Sequence, residues 1–284
     1  MTAILSVTLK EAVRKKTFLV MGIVTVLYLV FWAALLHYFQ AMHIDSRAAD
    51  FKPLASIVLT QTVLQFSSMI LCLLTIILGS GAISSEMETG MVHAILSRPV
   101  GRAAYILGRF LGLAILVSAY ATVLMAAILC IGRAYALDTV TALSAVQIFQ
   151  SWLIYLCVPL AVLCLTFYGS VSLKTVPNGL LMIFIYILGN IGGIVEMIGN
   201  YVNSKTINSV GIFISLVSPF HTLYGAAERV LLPSSGIAGE LMRGAGGLTG
   251  GGQPASAAMY VYIALYAAGF LALAARKFGK VDMN

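Results

Sequence analysis

Charge is the scarcest commodity in this sequence: 10% of its 284 residues are Asp, Glu, Lys or Arg, against roughly 25% in a soluble domain. With 60% hydrophobic residues and a mean hydropathy of +0.99, a water-soluble fold is excluded. Cysteine is almost as rare. Cys72, Cys130, Cys157 and Cys164 all fall within apolar runs and form no C-x-x-C pair, which indicates neither a disulfide framework nor a zinc site. Catalytic signatures are missing too. There is no G-x-S-x-G and no H-E-x-x-H, and the histidines are scattered at His37, His43, His93 and His221. The phosphate-cradling loop G-x-x-x-x-G-K-[ST] is also absent, since Gly279-Lys280 is followed by Val281. If the chain serves an ATP-driven system, hydrolysis belongs to another polypeptide.

What the sequence does have is long apolar runs. A hydrocarbon core of ~30 Å needs about 20 helical residues, and runs of that order lie at about 18–39, 55–83, 107–131, 149–171, 176–198 and 256–275. They predict an all-α integral membrane protein of six transmembrane helices, a single permease-like unit over 1–284. Ile207 to Val217 is also apolar, but eleven residues rise only ~17 Å as a helix and Pro219 follows. That stretch is expected to be an external re-entrant or interfacial segment between spans five and six. The glycine-dense stretch 236–254, ending at Pro254, is expected to be a flexible external linker. The first run is too long for a signal-peptide core and has no small-x-small cleavage site, so it is expected to be a retained helix.

Basic residues set the orientation, because cytoplasmic loops are enriched in Lys and Arg. Lys10, Arg14, Lys15, Lys16, Arg98, Arg102, Arg109, Lys174, Arg276, Lys277 and Lys280 lie on the side shared by both termini, and the other six basic residues lie opposite. The acids divide four to six the other way, so the chain's net charge of +7 sits entirely on the terminal side. Both termini are therefore expected in the cytoplasm of an inner-membrane protein. The same bias accounts for a pI near 9.3 by attraction to anionic membrane lipids rather than to nucleic acid. Ahead of the first span, Leu5, Leu9, Ala12 and Val13 share one side of a helix while Lys10, Arg14 and Lys15 point elsewhere, the pattern of an interfacial amphipathic helix.

Polar residues inside the spans are few and patterned. Gln61, Gln65, Ser68, Cys72 and Thr75 recur at spacings of three and four, and so form one stripe along the second helix. Such a stripe either packs against another helix, as in a dimer interface, or lines a translocation path. In the fifth span Gly189 and Gly193 form a small-xxx-small pair that permits close helix approach, with Asn190 and Glu196 polar among apolar neighbours. A carboxylate as near the outer end as Glu196 can reach water.

The segment between the second and third spans carries the densest chemistry. Glu86 and Glu88 follow a helix end, Gly90 breaks the chain, and Met91, Val92, Ile95 and Leu96 lie on a short amphipathic stretch. Ser97, Arg98, Pro99 and Arg102 then form a proline turn and a basic helix start. Here the chain resembles the permease subunits of type-2 ABC transporters, whose pattern is an acid, Gly-Thr, a leucine-rich turn, Ser-Arg-Pro-Val, a base, and Tyr-x-x-Gly-Lys. Glu86, Gly90, Ser97, Arg98, Pro99, Val100, Arg102, Tyr105 and Gly108 match it, Met91 replaces the threonine, and Arg109 replaces the lysine. The tail Ala275 to Asp282 is similar to the family's ending.

The resemblance implies a cytoplasmic coupling helix at about Glu88 to Ser97, seated on a cytosolic ABC ATPase. It also implies two such ATPases under a pair of membrane subunits, the second being another copy or a related chain, and substrate movement directed outward. ATP and Mg would be bound by the partner ATPase and no cofactor by this chain. Two other readings stay open at this stage: a subunit that extracts lipids or proteins mechanically without flux, and a membrane-embedded lipid-modifying enzyme.

Overall fold

A computed structural model describes residues 2–41, 52–90, 101–231 and 257–279, and every regular element among them is a helix. Met91, Val92, Ile95, Leu96, Ser97, Arg98 and Pro99 of the expected coupling segment, and the 236–254 linker, lie outside the described residues.

Eleven helices are described. In chain order they are α1 (Thr2–Arg14), α2 (Lys16–Ala41), α3 (Lys52–Ser80), α4 (Ser84–Glu88), α5 (Arg102–Ala134), α6 (Asp138–Thr141), α7 (Ala145–Ser172), α8 (Thr175–Tyr201), α9 (Lys205–Val217), α10 (Phe220–Leu231) and α11 (Ala257–Gly279). Six of them are long and apolar enough to cross a membrane, and they fall on the six apolar runs. The odd-to-even alternation of these spans puts the start of α2 and the end of α11 at one end of the bundle, called here the terminal end.

α7 is the central helix, packed by α3, α5, α10 and α11. It opens on a capping box in which Ser144 Oγ accepts from the Gln147 amide at 3.3 Å and Gln147 Oε1 accepts from the Ser144 amide at 3.0 Å, satisfying two of the amides that a helix start leaves open. Its inner half buries Tyr155, Phe167 and an unbroken run from Ala161 to Phe167. Tyr155 and Ser67 of α3 share a hydroxyl hydrogen bond of 3.0 Å. α2 packs more loosely at the rim, held where the Tyr28 hydroxyl donates to the Val63 carbonyl and where the Thr25 and Tyr120 hydroxyls meet. Most of its large apolar side chains stay exposed, as lipid contact demands.

α1 lies against the first turns of α5. Gly108 and Gly112 provide the seat: a Cβ at either position would meet Ile4 or Thr8. The docked stripe is therefore Ile4, Thr8 and Ala12, spaced by four, and Val13 falls on the outer face with Lys10 and Arg14, 49% exposed. Sequence periodicity had grouped Val13 with the inward side; the two glycines rotate the contact by nearly one residue.

Beyond α8, the chain reverses at Asn203, which takes φ +57°, a conformation asparagine tolerates better than most residues. α9 and α10 follow, bent by 98° where Pro219 cannot continue the helical ladder. The pair is either a broken span or a re-entrant loop by length and composition. α10 escapes a hydropathy reading because it carries His221, Glu228 and Arg229, yet Phe220, Leu223, Tyr224, Ala227 and Leu231 are all buried against the bundle. Ser151 of α7 donates to the Ala227 carbonyl at 2.9 Å and so fixes it there.

Candidate functional site

The terminal end of the bundle converges on α4. Three turn residues after Ser80, Gly81, Ala82 and Ile83, lead into this five-residue helix, which is closed by Thr89 and by Gly90 at φ +71°. The left-handed glycine is a usual helix stop, because a Cβ there would crowd the carbonyl. It sets the direction in which the chain leaves for residues 91–100.

Glu86 faces inward and is 6% exposed. Its carboxylate pairs with the Arg109 guanidinium and accepts from the Tyr105 hydroxyl. Arg109, 7% exposed, reaches past Glu86 to donate to Glu11 of α1, and Nε lies 3.4 Å from the Tyr105 hydroxyl. Glu11 in turn pairs with Lys15 at 3.2 Å. The forked geometry of guanidinium suits this double engagement, which an ammonium point charge could not match. Two acids meet two bases, the Glu86–Arg109 pair buried and the Glu11–Lys15 pair half-exposed, so the buried carboxylate faces a guanidinium. Burial pushes the Glu11 carboxyl up, but the Arg109 and Lys15 charges outweigh it and hold it below the usual carboxylate range.

Two further helices close over the cluster. Phe278 of α11 stacks on the Tyr105 ring, with centroids 6.0 Å apart and planes at 25°. Next to it Lys277 Nζ donates to Ser172 Oγ at 2.7 Å and lies over the Tyr168 ring of α7. Glu88 is exposed and turns the other way, accepting from the Thr175 amide at the start of α8 at 2.8 Å. Ser84 Oγ meets Thr175 Oγ1 at 2.8 Å. Asn178, fully buried one turn on, donates to the Thr166 carbonyl at 3.0 Å. Thus α4 touches α5, α7 and α8 directly, and α1 and α11 at one remove, through Arg109 and Tyr105. Arg102 opens α5.

The polar stripe of α3 faces inward. Gln61, Ser68, Cys72 and Thr75 are buried and Gln65 is half-buried; Gln65 Nε2 donates to Asn190 Oδ1 of α8 at 3.4 Å, and Tyr224 of α10 donates to the Gln61 carbonyl at 3.3 Å. Gly189 and Gly193 make their close approach inside the chain: a Cβ at Gly189 would strike Ser218, and one at Gly193 the His221 ring. Glu196 is half-buried at the α8–α9 contact, where its backbone abuts Gly211 and its side chain reaches Ser215.

Sequence reasoning isolated Glu86, Glu88, Gly90 and the stripe but not the partners Glu11, Tyr105, Arg109 and Thr175 that join them. Tyr105 and Arg109 stand in the same motif as an i, i+4 pair, but nothing in the sequence joined them to Glu86. Among the described residues no three His, Cys, Asp or Glu side chains come together as a metal site.

No curated protein matches the chain. The sequence profile of the ABC-2 family transporter proteins, by contrast, matches residues 2–283, nearly the whole length. An all-helical bundle with six candidate spans and a polar cluster at the terminal end is therefore the membrane component of a transporter, and the chain belongs to the ABC-2 family as a permease subunit of an ABC transporter.

Proposed function

We propose that this permease subunit moves its substrate outward across the inner membrane, driven by separate cytosolic ATPase subunits that bind ATP and Mg. The segment from about Glu88 to Ser97 seats on the ATPase. The terminal end of the bundle faces the cytoplasm, in keeping with the concentration of Lys and Arg there. A second copy of the chain, or a related permease, completes the assembly. The observation that carries this reading is the placement of α4: it immediately precedes the proposed docking segment, is bonded to α5 and α8, and reaches α1 through Arg109. A push delivered at the segment therefore reaches the bundle through fixed bonds rather than through a slack loop.

The test is co-expression with the partner ABC ATPase. Deleting Met91 to Leu96 should abolish substrate-stimulated ATP turnover while the two proteins remain expressed; unchanged turnover would refute the docking role. ATPase coupling without flux of any candidate solute would reassign the complex to mechanical extraction of lipids or proteins.

A further inference from the structure

Glu86 and Glu88 sit on one short helix but hold different bodies. Glu86 binds α4 to α5 and, through Arg109, to α1. Glu88 holds the first turn of α8. A helix start leaves four amides without internal partners, and a side-chain oxygen from the preceding residue often takes one of them. Here the preceding residue is Lys174, whose side chain has no acceptor. The Thr175 amide is instead taken by Glu88 from another helix, and Ser84 takes the Thr175 hydroxyl.

From that point α8 runs 27 residues, about 40 Å, to the opposite end of the bundle. There it meets α9 and the elbow at Pro219 in close contact: Gly199 against Asn208 and Gly211 against Glu196 nearly backbone to backbone, and Gly189, Gly192 and Gly193 against the side chains of Ser218, Ile214 and His221. Where glycines form the contact, few flexible side chains lie between the helices to absorb a displacement, and packed interiors transmit strain. The element at the receiving end is already broken by 98°, so it can swing about its break without unwinding.

We infer that Glu88 is a positioning residue that links the segment after Gly90 to α8, making α8 a rod that carries displacement from the terminal end to the α9–α10 elbow. The inference rests on the ATPase-docking role proposed above. Asn178, bonded to Thr166, is the pivot beside the driven end. Glu86 and Arg109 are the fixed arm against which it moves.

The experiment uses the complex with its ATPase in proteoliposomes, with the exposed Cys130 and Cys157 replaced by Ser. One reporter, Ser97→Cys, reads the docking segment; another, Ser209→Cys on the exposed face of α9, reads the elbow. Maleimide labelling rates are compared between nucleotide-free and ATP-trapped states. Both reporters should change in the parent, by roughly fivefold or more. In Glu88→Ala the change at Ser97→Cys should remain and the change at Ser209→Cys should be lost. Thr175→Pro removes the donor amide at a helix position that tolerates proline, and should give the same result. Glu88→Gln keeps an acceptor oxygen and should retain both changes. A change at Ser209→Cys that survives both Glu88→Ala and Thr175→Pro would overturn the relay alone. No nucleotide dependence at Ser97→Cys in the parent would overturn the docking role and the relay together.

Discussion

The Phe278 ring lies flat against Tyr105, 6.0 Å between centroids, so the last helix of the chain covers the same tyrosine that donates to the buried Glu86 carboxylate. An apolar lid on a polar cluster does two things. It removes water that would screen the ion pairs, and it ties α11, otherwise largely exposed along its length, to the core. Replacing Phe278 with Ala should therefore lower stability by about 3–5 kcal/mol. Thermal unfolding in detergent would show it as a lowered midpoint, with protease cutting appearing first near α11.

Arg109 is the only cation that touches both Glu86 and Glu11 among the described residues. Removing it leaves a buried carboxylate unpaired, so Arg109→Ala should cost roughly 3–5 kcal/mol. Arg109→Lys should recover only part, because one ammonium cannot fork between two acids. Exchanging the pair, Glu86→Arg with Arg109→Glu, should be less destabilising than the sum of its two single changes. A double-mutant cycle on thermal midpoints measures the difference, and strict additivity would mean that the two side chains do not interact.

Glu11 gives the cluster a pH dependence. Its carboxyl ionises at lower pH in the folded chain than when unfolded, so its pairing stabilises above the unfolded value of about 4.3. The contribution is lost as pH falls through the depressed folded value. The wild-type chain should thus be more stable than Glu11→Gln near neutral pH, and the two should converge in acid. Midpoints recorded for both proteins across that range test it, and a constant gap would contradict the assignment.

Gly108 and Gly112 are the seat of α1. Gly112→Leu would place a side chain where Thr8 now lies and should lift α1 from α5. A cysteine at the buried Ala12, unreactive to maleimide in the parent, should become reactive in the Gly112→Leu background. Unaltered protection would show that α1 is held by Glu11 alone.

Gly193→Leu should act at the other end. Its side chain would collide with the His221 ring, an overpacking that costs about 1–3 kcal/mol, and should increase cysteine labelling at Ser209→Cys without altering labelling at Ala12→Cys.

The six spans were legible because a run of about 20 apolar residues carries its meaning locally. The same independence from context marked the basic helix before the first span. What could not be read was pairing between helices. Glu86 and Glu88 look equivalent in the sequence, two acids beside a glycine, yet one is buried against Arg109 and the other caps α8. Glu11 and Arg109 are 98 positions apart, and no periodicity encodes such a match. Gly189 and Gly193 announced a close approach but not its partner, which proved to be the chain's own elbow. α10 was missed for a different reason: its polar residues dilute the hydropathy signal although most of the helix is buried.

Because the cluster around α4 draws on residues 11, 86, 105, 109 and 278, it cannot close before residue 278 has been made. Glu11 leaves the ribosome long before its guanidinium partner, and the aromatic cover arrives only with α11. A nascent chain cut short anywhere before the final helix would keep its salt bridges open to water. A product that stops before α11 lacks this cover, and quality-control proteases should tell it apart from one that carries it.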